Sequence, residues 1–179
     1  MSNIVVLIGS MRKGGNTDML AHRFAEGAMK NNHVDVVSVA DYKVNPCIGC
    51  NRCYTSDGNR CFQKDDMEEI YEKLSKTDIL VIASPVYFYG ISSQLKAVID
   101  RLHAPVRNTF PIRKLGLLLV GATTVPNLFN AIDTQYESTL KFFGLGDIGR
   151  IFVGGVKDIG DIEGNDALQK AYELGLSVE

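Results

Sequence analysis

Four stretches of this chain hold side chains whose types and spacing belong together chemically. The first is Gly9-Ser10-Met11-Arg12-Lys13-Gly14-Gly15-Asn16-Thr17. It combines hydroxyls, a guanidinium, an amide and glycine-rich backbone, a donor set suited to an anion with several oxygen acceptors. No Gly-Lys-Ser/Thr stands at P-loop spacing, and Gly-x-Gly-x-x-Gly is absent, so the two common nucleotide fingerprints are excluded. A set made of Ser10, Arg12, Asn16, Thr17 and main-chain N–H groups suits a terminal monophosphate better than a pyrophosphate. The competing explanation is local: Asn16 or Thr17 caps a helix while the glycines form a turn.

The second stretch carries all 4 cysteines. Cys47, Cys50 and Cys53 form Cys-x2-Cys-x2-Cys, and Cys61 follows in the same segment. Three thiolates at that pitch can wrap an iron–sulfur cubane, with Cys61 as the fourth ligand. A tetrathiolate zinc site is a second reading, although two separated Cys-x-x-Cys knuckles are its usual form. Four reduced thiols in a long loop is the third. Disulfides are disfavoured by the close spacing and by the expected reducing, cytoplasmic setting. The remaining two stretches are Ser84-Pro85-Val86-Tyr87-Phe88-Tyr89-Gly90, unusually aromatic for a turn, and Gly121-Ala122-Thr123-Thr124-Val125-Pro126-Asn127. Aromatic rings beside a phosphate loop suit a flat, π-rich ligand, while Ala122 and Thr123 offer main-chain donors.

These residues need elements to place them. Ile4–Gly9 is an apolar run bounded by glycine and predicts a strand buried on both faces. Leu20, Phe24 and Ala28 recur by fours and predict a helix over about Thr17–Lys30. Further strands are predicted at Val34–Val39, Ile79–Ala83, Leu115–Val120 and Ile148–Gly154. Further helices are predicted from an Asp65 cap to Leu74, over Ser92–His103, Leu128–Phe143, and Asp166–Leu174. Strict alternation implies a parallel sheet covered by helices on both faces. Five strands suit the flavodoxin-like order 2-1-3-4-5, which places FMN where the loops after strands 1 and 3 face each other.

Length and composition fit one domain over residues 1–179, with 45% hydrophobic and 22% charged residues. The net charge of −2 argues against a nucleic-acid or acidic-membrane surface, and no apolar run is long enough to span a bilayer. No acid–base triad stands out: His22, His33 and His103 read as helix-end residues, and Asp18, Asp100 and Asp133 as caps or ion-pair partners. No catalytic side chain is therefore expected, and the redox chemistry falls to the cofactor.

The loop Gly9–Thr17 resembles the Gly-Ser-x-Arg-x-x-Gly-Asn-Thr phosphate loop of NAD(P)H-dependent FMN reductases. Ser84-Pro85-Val86-Tyr87-Phe88 with Ser92, Leu95-Lys96 and Ile99-Asp100-Arg101 is similar to that family's second signature. Pro46-Cys47-Ile48-Gly49-Cys50-Asn51-Arg52-Cys53 with Cys61 and Asp65-Asp66-Met67 resembles the subgroup that includes the iron–sulfur flavoproteins. The resemblance covers nearly the whole chain. It implies that Ser10, Arg12, Asn16 and Thr17 hold the FMN phosphate and that Pro85, Val86, Tyr87 and Phe88 border the ring system. It also implies NAD(P)H as reductant and a small acceptor such as a quinone or flavin. Two other classes stay open. One is an electron carrier with FMN and a [4Fe–4S] cluster on Cys47, Cys50, Cys53 and Cys61, fed by a ferredoxin-like protein. The other is a non-enzymatic sensor that holds FMN or another phosphate ligand, with zinc or thiols shaping the cysteine loop. The long excursion Ala40–Lys64 predicts a cover for the site or a subunit contact, hence a homodimer or homotetramer.

Overall fold

Ile4, Val5, Val6, Leu7 and Ile8 are each no more than 4% exposed. Alternate side chains of this strand enter two different cores, as the twofold strand period requires. The computed structural model of the chain describes every residue from Met1 to Glu179. Its strands are β1 (Asn3–Ile8), β2 (His33–Ser38), β3 (Ile79–Pro85), β4 (Lys114–Val120) and β5 (Gly146–Val153). Its helices are α1 (Asn16–Ala28), α2 (Met67–Leu74), α3 (Ser93–Arg101), α4 (Asn130–Phe143) and α5 (Asp166–Leu176). All neighbouring strands run parallel in the order β2-β1-β3-β4-β5, the flavodoxin-like arrangement expected from the element order.

Ile4, Val6 and Ile8 join Leu20, Phe24 and Ala28 of α1 and Ala171 of α5 on one face. Val5 and Leu7 meet Met67 and Ile70 of α2, Leu95 of α3 and Ile132 of α4 on the other. Each fully buried aliphatic or phenyl side chain contributes roughly 1.5–3 kcal/mol, so β1 is held from both sides and cannot slip in register. α1 and α5 cross almost in backbone contact. A Cβ on Gly27 would lie 2.0 Å from the Tyr172 carbonyl oxygen, and one on Gly175 would lie 2.1 Å from that of Phe24.

Most boundaries differ from the sequence reading by a residue or two, and three of the differences bear on the argument. β5 begins earlier, at Gly146, because its pairing with β4 shifts register at Leu115/Gly116 and accommodates Gly149 at φ 130. α4 starts later, at Asn130, because Asn127 adopts φ 64 and breaks the helix there. α2 starts at Met67, with Asp66 at the N-cap position and the Asp65 carboxylate accepting from Met67 N–H at 3.2 Å, the capping role expected of it. No helix is long and apolar enough to cross a membrane.

Candidate functional site

Parallel strands deliver all their βα loops to one edge, and hydrogen bonds carry the sheet's alignment past the strand ends. Gly9 N–H donates to the Ala83 carbonyl at 2.7 Å, Val86 N–H to Val120 at 2.8 Å and Gly121 N–H to Val153 at 2.8 Å. The Ser92 hydroxyl donates to the Gly9 carbonyl at 2.7 Å, and Ser92 N–H donates to the Ser84 hydroxyl at 3.1 Å. The loops after β1, β3, β4 and β5 are thereby fixed side by side, and a cleft of about 240 Å³ opens between them.

The β1–α1 loop supplies one wall through Ser10, Arg12, Gly15, Asn16 and Thr17. Some of its donors are already committed. Arg12 N–H donates to the Ser10 hydroxyl at 3.1 Å, Gly15 N–H to the Arg12 carbonyl at 3.1 Å, and Gly14 N–H to the Asp18 carboxylate at 2.8 Å. Others remain free. The N–H groups of Asn16 and Thr17, in the first turn of α1, make no hydrogen bond within the chain. The Thr17 hydroxyl also lacks a partner, although the residue is only 3% exposed. Free N–H groups at a helix N-terminus and an unused hydroxyl are the donors an anion needs.

The side-chain amide of Asn16 is not among them. Its Nδ2 donates to the Asp158 carbonyl at 2.8 Å, and its Oδ1 accepts from Gly160 N–H at 3.2 Å and Ile162 N–H at 3.3 Å. The sequence expectation put this amide on a phosphate; in the structure it ties down the loop after β5, and the unused donor of Asn16 is its backbone N–H.

Pro85, Val86 and Tyr87 line the second wall, and Ala122 with Val120 the third. Phe88 and Thr123 are not part of the lining. Phe88 is fully exposed, at 105%, because Tyr87 and Gly90 exchange two 2.9 Å backbone hydrogen bonds and close a two-residue turn. Phe88 (φ 48) and Tyr89 (φ 62) occupy its left-handed positions, where asparagine and glycine are the usual residues. Thr123 is engaged through its carbonyl, which accepts from Gly155 N–H at 3.0 Å. The N–H groups of Ala122, Thr123 and Thr124 find no acceptor in the chain. Sequence reasoning missed a fourth wall, Val156, Lys157 and Ile159 of the loop after β5. The signal was topological: in an all-parallel sheet this loop must lie beside the one that follows β4.

No carboxylate lines the cleft, while Arg12 and Lys157 both do. Neither cation has an ion-pair partner; Arg12 Nη1 donates to the Lys157 carbonyl at 3.3 Å. Free main-chain donors, an unused hydroxyl and two unpaired cations match a dianionic phosphate, and the apolar walls beyond match an aromatic ring system. The residues present fit a phosphorylated flavin.

The cysteine segment lies at the same edge, after β2. Its neck is closed by a buried bidentate pair, with Arg101 donating to Asp65 at 2.7 and 3.2 Å. Arg101 also donates to the Asn45 carbonyl at 3.0 Å, and Asp65 accepts from Asn45 N–H at 2.9 Å. Lys43 N–H donates to the Asp66 carboxylate, and Asp66 N–H returns the contact to the Lys43 carbonyl. Burial opposes ionisation of Asp65, yet the bonds from Arg101, Asn45 and Met67 outweigh it and hold its pKa below the ordinary value. Cys47 and Cys50 are exposed, whereas Cys53 and Cys61 are partly covered. Burial pushes the Cys53 thiol up, and the other three thiols, as neighbouring charges, push in the same direction. No three groups able to bind a metal are gathered about one point. The four-thiol set that a cluster or a zinc ion would need is not gathered in this arrangement. The residues read as caps and partners behave so: Lys96 pairs with Asp100 and Arg150 with Asp133. His103 lies 3.4 Å from the Tyr54 hydroxyl.

Comparison with known proteins agrees with this geometry. Residues 2–153 match the family model described as NADPH-dependent FMN reductase. The chain is 37% identical over 123 residues to an iron–sulfur flavoprotein of Methanocaldococcus jannaschii, covering 67% of this chain and 62% of that one. The match thus spans less than two thirds of that relative's length. It is 27% identical over 179 residues to YwqN of Bacillus subtilis, whose name describes an NAD(P)H-dependent FMN-containing oxidoreductase, covering 96% and 95% of the two chains. Among solved structures, an NAD(P)H:quinone oxidoreductase from Methanothermobacter marburgensis superposes with a TM-score of 0.76 at 16% identity, over 99% and 96% of the two chains. At that identity it speaks for the fold alone.

Proposed function

The chain belongs to the NADPH-dependent FMN reductase family, and from that membership we propose that it binds FMN in the cleft between the β1 and β3 loops and works as an NAD(P)H-dependent oxidoreductase. The observation that carries this reading is a carboxylate-free cleft with unused N–H donors at Asn16 and Thr17 on one side and Pro85-Val86-Tyr87 on the other. FMN bound there would supply hydride acceptance from a nicotinamide and onward transfer of electrons to a quinone, flavin or similar small electrophile. The chain supplies position and electrostatics. The Thr17 hydroxyl, the first-turn N–H groups and Arg12 hold the phosphate, with Ser10 shaping the loop through its bond to Arg12. Pro85, Val86 and Tyr87 set the plane of the rings, and Phe88 at the turn tip borders the open side. The free N–H group of Ala122, with that of Thr123 next along the loop, would serve the pyrimidine end of the flavin, where main-chain donors favour added negative charge.

Thr17→Ala removes a hydrogen bond to a charged group. It is expected to weaken FMN binding to the apoprotein by about tenfold to a hundredfold, read from quenching of flavin fluorescence. Wild-type affinity in that variant, or a protein that neither holds flavin nor oxidises NADH or NADPH with a quinone present, would overturn the proposal.

A second reading is favoured by the four cysteines and the Methanocaldococcus relative: an electron carrier fed by a ferredoxin-like protein, with a [4Fe–4S] cluster on Cys47, Cys50, Cys53 and Cys61. The thiols would have to converge from their present positions to hold it. Anaerobic purification with iron, sulfide and zinc analysis distinguishes the readings, since a carrier would contain about four irons per chain. We also propose a homodimer or homotetramer. Tyr87, Phe88 and Tyr89 expose 54%, 105% and 53% of their surface beside the cleft, an apolar rim that a second subunit would cover. Sedimentation showing only monomer would remove this part.

A further inference from the structure

The family's phosphate-loop motif carries an asparagine, and the obvious role for Asn16 is to touch the phosphate. The geometry points to a different division of labour. We infer that the loop 155–162 is a working wall of the flavin cleft, that Lys157 on it is the second counter-charge of the flavin phosphate beside Arg12, and that Asn16 is a positioning residue that latches this loop to α1. The inference rests on the FMN reading above and deepens it.

Three observations converge. All the hydrogen-bonding capacity that Asn16 shows is directed across the cleft base to Asp158, Gly160 and Ile162, residues more than 140 positions away. With Asn16 only 8% exposed, turning its amide to a phosphate would abandon those three bonds. The loop is also held from its other sides. Gly155 and Val156 N–H donate to the Thr123 and Gly121 carbonyls, Ile162 is fully buried, and the Asp161 carboxylate accepts from Lys157 and Asp158 N–H at 2.8 Å each. That last contact uses Asp161 on the backbone, and the Lys157 ammonium is left without a carboxylate partner. Finally, Arg12 reaches the Lys157 carbonyl, and both residues, neither of them ion-paired, line the same carboxylate-free cleft. Two cationic residues on the walls of one cleft, neither with a counter-ion, favour an incoming dianion there.

The test compares FMN with riboflavin, which lacks the phosphate, by fluorescence titration of the apoprotein. Lys157→Gln is expected to weaken FMN binding about tenfold and to flatten its salt dependence, with riboflavin affinity unchanged. Asn16→Ala is expected to weaken FMN comparably. In the Asn16→Ala/Lys157→Gln double variant, the loss is expected to be no larger than in either single variant, because the latch acts through the lysine. Asp161→Ala loosens the same turn from outside the cleft and should reproduce the Asn16→Ala effect, which keeps the test available if Asn16→Ala folds poorly. Additive losses for Asn16 and Lys157 would show the amide touching the phosphate directly and overturn the inference. So would an unchanged FMN affinity in Lys157→Gln, including the case where only the KM for NADPH rises and the phosphate served is the nucleotide's. A wild-type apoprotein that binds neither flavin overturns the FMN reading itself, and this inference with it.

Discussion

Asp65 and Arg101 meet with side chains 4% and 2% exposed, where a lone charge would be costly and a paired one is held by geometry. Arg101→Ala leaves the carboxylate uncompensated, and the expected loss is about 3–5 kcal/mol, measurable by urea denaturation at pH 7. The pH dependence has a definite sign. The folded pKa of Asp65 lies below its ordinary 3.8. The pair's contribution is therefore complete above about pH 4 and disappears as pH falls through the folded value. The gap between wild type and Arg101→Ala should narrow between pH 4 and pH 2. A second residue-scale prediction concerns Phe88 and Tyr89, whose left-handed backbone costs roughly 1–2 kcal/mol per residue. Phe88→Asn/Tyr89→Gly should raise the melting temperature while lowering kcat/KM, because the relieved turn loses the aromatic rim. The sequence brought out Ser10, Thr17 and the Pro85-Val86-Tyr87 run because their chemistry is local, and the structure gathers them along one cleft. Partners far along the chain were not legible: nothing beside Asp65 indicates Arg101, and nothing beside Asn16 indicates Asp158.

The elements were readable in proportion to how uniformly they are buried. β1 and β3 are continuous aliphatic runs because helices cover both faces. β5 lies at the sheet edge, mixes Asp147, Arg150 and glycines, and its start was misplaced. The crossing of α1 and α5 left no readable trace, since a glycine within a helix pattern looks like a weak position rather than a contact. Yet Gly27 admits a backbone at the distance where a methyl group would sit. Gly27→Ala is expected to force the helices apart at a cost on the order of 1–3 kcal/mol. The melting temperature should fall by about 3–10 °C, against the usual gain of alanine over glycine in a helix. A scanning-calorimetry trace with unchanged or higher melting temperature would contradict the close approach.

At the scale of the whole molecule, the cleft is open and lined by groups that lack partners, so the ligand is part of what holds the loops together. FMN at one hundred times its dissociation constant should add about 2.7 kcal/mol to stability and raise the melting temperature of the apoprotein by roughly 5–10 °C. Riboflavin, without the phosphate, should raise it less. The closed neck at Lys43, Asn45, Asp65, Asp66 and Arg101 has a different reach. Both ends of the segment 46–64 are tied to the scaffold and to each other, and between them the segment touches the scaffold at a few points, such as Tyr54 with His103 and Arg60 with Glu68. Doubling such an excursion adds only about 0.6 kcal/mol of closure entropy. Anchored at its neck in this way, the segment can change length at small entropic cost while the frame beneath keeps its shape.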